Sequence, residues 1–472
     1  MTKSSSTPSQ PVTDFCVDLV DYIQQSPTPY HATQASVQRL RQAGFTELKE
    51  SDDWQLSPGA SYYCTRNQSS VIAFTYHTPD KSSFFKIIGA HTDSPCLKVL
   101  PNPIKRVENY FQVKVAAYGG VLLHPWFDRD LSLAGKITYL DAQQRLASCL
   151  IDLKRPIACV PSLAIHLNRG ANENSSINVH EHMTVLLGAS PPSGDSTAPD
   201  KKENLESFTD LLSCWLKAEH PDIDCSQILD HDLCFYDVQA PTQLGLSNEL
   251  FAGARLDNLL SCHSATSAII DCADKIRADK ARNGASDNKG ISLMVCNDHE
   301  EVGSQSDSGA AGPFLEQVIE RLLPKSLVSQ VIRQSVLFSV DNAHALHPNY
   351  SNKHENNHAP LLNHGPVIKY NANQRYATTA DTAALAKLLA SRLKPPVPLQ
   401  HFAIRPDMGC GSTIGPISAT RLGIRTVDIG APTFAMHSVR ELAGTQDIEH
   451  LYRLLSQFLS SSKEDCAEAA IV

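Results

Sequence analysis

Short apolar runs recur along the chain, and most are followed by segments whose apolar positions repeat with a helical period. Phe84-Phe-Lys-Ile-Ile-Gly-Ala90, Ile291-Ser-Leu-Met-Val-Cys-Asn297, Ser335-Val-Leu-Phe-Ser-Val340 and Arg425-Thr-Val-Asp-Ile-Gly430 read as strands. Asn258 to Ile276, Ala380 to Leu393 and Asp447 to Ser460 read as helices. Strands alternating with helices predict an α/β sheet covered on both faces.

The pattern changes between about 100 and 240. Val107-Glu-Asn-Tyr-Phe-Gln-Val-Lys-Val-Ala-Ala-Tyr118, Ser132 to Leu140 and His231 to Val238 look like strands with little strong helix between them. The chain therefore divides into an α/β domain, residues 1–98 and 241–472, interrupted by a mostly β module, residues 99–240. The stretch 188–203, rich in Pro, Ser and charge, reads as an exposed loop, and 271–289 holds a second polar insertion. There is no internal repeat.

Composition narrows the class. Of 472 residues, 42% are hydrophobic and 19% charged, ordinary values for a soluble globular chain with a large core. No apolar run approaches the ~18 residues needed to span a bilayer. The polar N-terminus, Met1 to Gln10, lacks an apolar signal core and reads as a frayed tail on a cytoplasmic protein. The thirteen cysteines include no Cys-x-x-Cys pair, and several lie in apolar runs, which fits a reducing compartment. A net charge of −9 argues against nucleic acid or an anionic membrane as the main partner, while leaving room for an acidic substrate at a locally positive site.

The candidate chemistry sits at strand ends. His91 and Asp93 follow the first apolar run, Glu300 and Glu301 the second and Asp341 the third; His437 lies beyond the fourth, and Asp257 opens a helix. The carboxyl edge of an open α/β sheet is where ligands bind. Any one of these residues alone reads as a turn residue or a helix cap. The pair Glu300-Glu301 is harder to dismiss, because adjacent carboxylates at a buried strand end repel unless a cation or proton offsets them. Acids and imidazoles without cysteine suit a hydrolytic site for zinc, manganese or cobalt. Two divalent ions sharing a bridging carboxylate account for two histidines and three acids, with Glu300 left over as general base beside a water whose pKa falls toward about 7. Asp93 would face the same side as His91 and could orient it.

Several long motifs carry a family resemblance. Gly89-Ala-His-Thr-Asp-Ser-Pro-Cys-Leu97, Ala254-Arg-Leu-Asp-Asn258, Asn297-Asp-His-Glu-Glu-Val-Gly-Ser304, Asp341-Asn-Ala-His-Ala-Leu-His-Pro-Asn-Tyr350, Gly365-Pro-Val-Ile-Lys-Tyr-Asn-Ala-Asn-Gln-Arg-Tyr376 and Phe434-Ala-Met-His-Ser-Val-Arg-Glu441 resemble the aspartyl aminopeptidases, the M18 metallopeptidases. The likeness runs from about 15 to 460. It implies a zinc-peptidase fold, a doubly wound mixed α/β sheet with an inserted mostly-β assembly domain. It implies one metal on His91, Asp257 and Asp341 and a second on Asp257, Glu301 and His437, with Asp257 bridging, Glu300 as base and Asp93 supporting His91. It further implies Lys369 in the pocket for an acidic side chain, His347 at the substrate, and His166 reaching a neighbour's site in a homo-oligomer, a dodecamer built from dimers. Met408-Gly409 stands where animal members have Ser-Pro and is similar to the bacterial branch; insertions near 190–203 and 273–289 depart from the family pattern.

The leading expectation is removal of N-terminal Asp or Glu from peptides. Its rivals are a broad aminopeptidase or dimetal deacylase of the same clan, and a non-catalytic assembly protein built on a dead peptidase. The presence of all five ligands and Glu300 argues against the last.

Overall fold

The four apolar runs become four neighbouring parallel strands at the centre of one sheet. In the computed structural model, which describes residues 14–173, 176–189, 207–283 and 290–467, nine strands form a mixed sheet. Their order is Thr46–Glu47, Ser61–Arg66, Ser70–Thr75, Gly290–Asn297, Phe84–His91, Val336–Val340, Arg425–Gly430, Val367–Tyr370 and Gln400–Ala403. Every residue of Phe84–His91, Gly290–Asn297 and Val336–Val340 is buried. Alternate side chains serve opposite layers. Phe84, Ile88 and Ala90 pack among helices Asp14–Gln24, Pro29–Gln42, Leu256–Asn283, Ala380–Arg392 and Thr445–Leu459. Phe85 and Ile87 pack among Phe314–Leu322 and Val328–Gln334. A doubly covered sheet is why these strands read as continuous hydrophobic runs. The helices are amphipathic: Ile448, Leu451, Leu454, Leu455 and Phe458 line the buried face of Thr445–Leu459, and Phe458 stacks on Phe338 at 3.9 Å.

The chain divides into two compact units. One comprises Met1–Ser94, Pro241–Met436 and Glu441–Val472; the other comprises Pro95–Ala240 and His437–Arg440. The second unit is a six-stranded antiparallel sheet ordered Leu146–Asp152, Leu131–Asp141, Cys225–Asp237, Cys96–Val107, Tyr110–Tyr118 and Val185–Ala189. Leu97, Val113, Leu133, Phe235 and Val439 are buried in its core.

Three local readings change. The run 107–118 is not one strand but the turn and second arm of a hairpin whose first arm is Cys96–Val107; Glu108 takes a left-handed φ of 50° at the turn. Helix Phe208–Glu219 lies where little helix was expected, started by a capping box in which the Ser207 side chain accepts from the Asp210 amide. The polar insertion at 271–289 is, as far as Asn283, the continuation of helix Leu256–Asn283. The N-terminal tail read at residues 1–10 lies outside the described residues, as do 284–289; of the loop read across 188–203, Gly188 and Ala189 instead end the strand Val185–Ala189, and the rest lies outside the described residues. Among the described residues no helix is long and apolar enough to cross a membrane.

Asp18 ties three helices of the first unit together. Its carboxylate accepts from Arg39 at 2.6 Å and from the buried ring of His263 at 2.6 Å. The His263 hydrogen bond, aided by Arg39 and opposed by partial burial, holds the Asp18 carboxyl well below the usual range. A depressed acid contributes stability above its unfolded pKa of about 3.9, and that contribution is lost as pH falls through the folded value. With the side chain 43% exposed, solvent screening keeps the effect to about 1 kcal/mol. Asp18→Asn should therefore lower the melting temperature at pH 7 and converge on the parent as pH drops below about 3. Thermal melts that keep a constant gap across this range would refute the linkage.

Candidate metal centre

Register sets the site. Gly290–Asn297 and Phe84–His91 run parallel with Asn297 level with His91, and Val336–Val340 runs parallel beside them. His91 ends its strand, Asp341 follows Val340 directly, and Glu300 and Glu301 follow Asn297 after a turn in which His299 adopts a left-handed φ of 63°. Asp257 lies at the start of Leu256–Asn283, where it and Asn258 depart from helical dihedrals and are joined by a cis peptide. Asp257 thus stands where the helix opens, in a bent entry segment.

His91 Nε2 lies 3.3 Å from Asp257 Oδ1, 3.5 Å from Asp341 Oδ1 and 3.9 Å from Glu300 Oε2. Ligand atoms of His91, Asp257 and Asp341 fall within 4.8 Å of one another, as do those of His91, Glu300 and Glu301. Burial, with the charges of Asp341, Asp257 and Asp93, pushes Glu300 up to about 8 although His91 pulls against it. Burial and the Asp257 charge raise Glu301 well above the carboxylate range. Burial alone would lower the pKa of His91, but Glu300 and hydrogen bonds to Asp257, Asp341 and Asp93 hold it well above normal. These shifts have one origin, an excess of negative charge in a dry cluster. Oxygen and imidazole donors gathered this closely fit a divalent ion of the zinc type, which would offset that charge. Cys262, donating to the His91 carbonyl at 2.9 Å, stays a thiol because burial drives its pKa far up.

Polar side chains fix the backbone of the cluster. Asp93 Oδ1 accepts from the Glu300 amide at 3.1 Å and Oδ2 from the Glu301 amide at 3.0 Å, while the Asp93 carbonyl accepts from His91 Nδ1 at 3.1 Å. One buried side chain thus joins two strand ends. Glu441 accepts from the Asp257 amide at 2.8 Å, Ser94 donates to the Asp257 carbonyl at 2.6 Å, and Asn258 donates to the Val340 carbonyl at 2.8 Å. Sequence reading singled out none of these last three. All three lie within the motifs that carry the family resemblance, but only the fold brings them to the Asp257 backbone and the Val340 carbonyl.

The remaining candidates are placed as follows. Lys369 is 1% exposed and donates to Asp341 Oδ2 and to the Asn342 carbonyl, each at 3.2 Å, with its ammonium 5.1 Å from the Tyr376 ring centre. A lysine at a strand end usually reads as solvated; this one is an interior cation. His347 caps Pro348–Lys353, packs against Tyr350 and Phe434, and borders a cavity of about 350 Å³ shared with Phe402, Arg405 and Met408. Two arginines close in sequence to these segments are engaged elsewhere or exposed: Arg405 is paired with Asp407, and Arg375 is exposed. His437 belongs to the second unit, where it takes a left-handed φ of 67°, its carbonyl accepts from the Leu122 amide, and its Nδ1 lies 3.2 Å from the Gly120 carbonyl. That bond places the lone pair on Nε2. His166 is exposed in a turn of the second unit.

Ser94→Ala removes the donor to a buried carbonyl without changing charge. It should cost about 1–3 kcal/mol in urea unfolding of chelator-treated protein. Parent-like stability would mean that the Asp257 carbonyl has another partner.

Comparison with known proteins agrees with this chemistry. A family described as Aminopeptidase I zinc metalloprotease (M18) matches residues 22–459. The chain is 49% identical over 447 residues to a probable M18 family aminopeptidase 2 of Stutzerimonas stutzeri strain A1501, covering 94% of this chain and 98% of the relative. The homologue of the same name from Pseudomonas aeruginosa strain UCBPP-PA14 is 49% identical over 448 residues, with the same coverage. Among solved structures, the chain is similar to yeast aminopeptidase 1 (Ape1), with a TM-score of 0.80 at 27% identity, covering 96% of this chain and 98% of that one. The likeness to an M18 aminopeptidase of Thermotoga maritima, with a TM-score of 0.76 at 20% identity and 94% and 95% coverage, is one of fold. A mixed α/β sheet that gathers His91 with four acids, in a chain matched almost end to end, belongs to the M18 family of zinc metalloaminopeptidases.

Proposed function

We propose that this aminopeptidase removes acidic residues, Asp or Glu, from peptide N-termini with two divalent ions, zinc foremost, and Glu300 as general base. The observation that carries the proposal is the convergence of His91, Asp257, Asp341, Glu300 and Glu301 on one sheet edge. His91, Asp257 and Asp341 would hold one ion; Asp257, Glu301 and His437 would hold the other. When bound, the ions would polarise the scissile carbonyl and make water a nucleophile near neutral pH. Glu300, its backbone fixed by Asp93, takes the proton from the attacking water and delivers it to the leaving amine. It must be ionised to accept that proton, so the burial that raises its pKa has to be offset by nearby positive charge.

Acid selectivity rests on Lys369. An ammonium carries three donors. Asp341 and Asn342 take two, which leaves the third for a substrate carboxylate. His347 would contact substrate from the rim of the neighbouring cavity. Assembly is the other half of the proposal. A related solved structure at 27% identity is the dodecamer of S. cerevisiae mApe1. The solvent-facing Leu163, Ile165 and Leu167 around His166 form the kind of apolar patch that a second subunit covers. We place His166 against a neighbour's site in a dodecamer of this chain.

Glu300→Gln should keep the fold and lower kcat by a factor of at least ~10² on an Asp-terminal peptide. Turnover at the parent rate would overturn the base assignment. A charged hydrogen bond is worth about 1.5–3 kcal/mol, so Lys369→Met should cut the ratio of kcat/KM for Asp- over Asn-terminal peptide by roughly 10- to 150-fold. The ratio is the readout because Lys369 also bonds Asp341, and both substrates share that loss. An unchanged ratio would remove Lys369 from substrate recognition and leave a broad aminopeptidase as the better reading.

A further inference from the structure

Behind Lys369 lies a second buried carboxylate. Asp428 is on strand Arg425–Gly430 and is completely buried. This strand pairs antiparallel with Val367–Tyr370, with Val367 opposite Gly430 and Ile368 opposite Ile429. Continuing that register by one pair sets Lys369 opposite Asp428, and directly opposed residues project from the same face with Cβ atoms about 5 Å apart. The Lys369 ammonium bonds Asp341, and its charge reaches Asp428 from the neighbouring strand. Burial raises the pKa of Asp428, and the Lys369 charge is the largest influence drawing it back.

The other contacts of Asp428 reach two segments far apart in sequence. Oδ1 accepts from the Thr413 hydroxyl at 2.6 Å, and Oδ2 from the Ala377 amide at 2.5 Å. The Asp428 amide in turn donates to the Thr378 hydroxyl at 3.0 Å. Thr413 is the N-cap of helix Ile414–Leu422 and ends the glycine-rich stretch 407–413; Ala377 and Thr378 follow Tyr376, whose ring faces Lys369. The carboxylate also fills the space beside Gly415, where a Cβ would stand 2.4 Å from Oδ1. Nothing in the reaction needs an acid at this depth. Its neighbours include Ser339 on the adjoining strand, the cation assigned to substrate, and the segments that carry Ala377, Thr378 and Thr413.

We propose that Asp428 is a positioning residue for acid selectivity: it completes a buried Asp341–Lys369–Asp428 row that fixes the ammonium, and it fastens the Tyr376 segment and the glycine-rich segment to that row. The proposal rests on Lys369 as the acid-recognising cation. Without Asp428, the ammonium has Asp341 as its one charged neighbour in the row and turns toward it, away from substrate. Selectivity then falls while chemistry on a neutral N-terminus persists.

The test measures kcat and KM on Asp- and Asn-terminal peptides for the parent, Asp428→Asn, Lys369→Met and the double variant, each as the assembled, metal-loaded enzyme, with circular dichroism to confirm folding. Asp428→Asn should lower the Asp-over-Asn ratio about tenfold, mostly through KM for the Asp peptide. The double variant should be no less selective than Lys369→Met alone, since both act through one ammonium. If Asp428→Asn is not recovered folded, Thr413→Ala should lower the ratio part-way and Thr413→Ser should preserve it. Equal losses on both peptides, an unchanged ratio, or additive losses in the double variant would overturn the proposal. A parent that does not prefer Asp would instead overturn the acid specificity on which it rests; a selective parent with an equally selective Asp428→Asn overturns the positioning role alone.

Discussion

Too many carboxylates share one dry edge of the sheet, and the rest of the centre is organised around that imbalance. The His91 ring lies within 4 Å of Asp93, Asp257, Glu300 and Asp341. Burial deprives these groups of water, and their proximity makes each raise the proton affinity of the next. Left alone, such a cluster relaxes by taking up protons or drifting apart. Its geometry is kept because neutral donors hold the backbone: two amides on Asp93, the Ser94 hydroxyl on the Asp257 carbonyl, and the Asn258 amide group on the Val340 carbonyl. The side-chain oxygens are thereby aimed by bonds that do not use up their charge, which is what a centre built for divalent ions requires.

Lys369 contributes differently. It is a positive charge at the back of the cluster, bonded to Asp341 and acting through its charge on Asp428. A buried cation between acids is costly to desolvate, and breaking such a row from either end strands the charge that remains. On the proposed reading, substrate preference and the donor strength of Asp341 share one ammonium, so changes made for selectivity would also be felt at the centre.

Much of this was legible in the chain because burial on both faces writes strands as unbroken apolar runs. The residues at their ends could be picked out once the runs ending at Ala90, Asn297 and Val340 were seen. What escaped was set by contacts distant in sequence or by elements too small to leave a period. The five-stranded sheet containing Ala343–His344 and Pro432–Phe434 is made of strands of two to four residues. The hairpin turn at Glu108 carries no glycine or proline. Helix Phe208–Glu219 did leave signals, apolar residues at 208, 212 and 216 behind a Ser207–Asp210 capping box, but a charged stretch before it masked them. Lys369 reads as polar and hence exposed; its burial follows only from Asp341 and Asp428 arriving from other strands. Glu441 is invisible as a partner of Asp257 for the same reason.

The allegiance of His437 has a practical side. By position it belongs to the long C-terminal stretch of the α/β part, yet His437–Arg440 packs with the inserted β unit: Val439 is buried in that unit's core, and the backbone at Gly120 and Leu122 holds the histidine in a left-handed conformation. Anyone seeking a minimal enzyme by splicing out residues 95–240 would not be trimming an accessory. The excision would discard the hydrogen bonds that shape a proposed ligand while leaving its codon untouched. In this chain the boundary drawn along the gene and the boundary drawn around the chemistry are different lines.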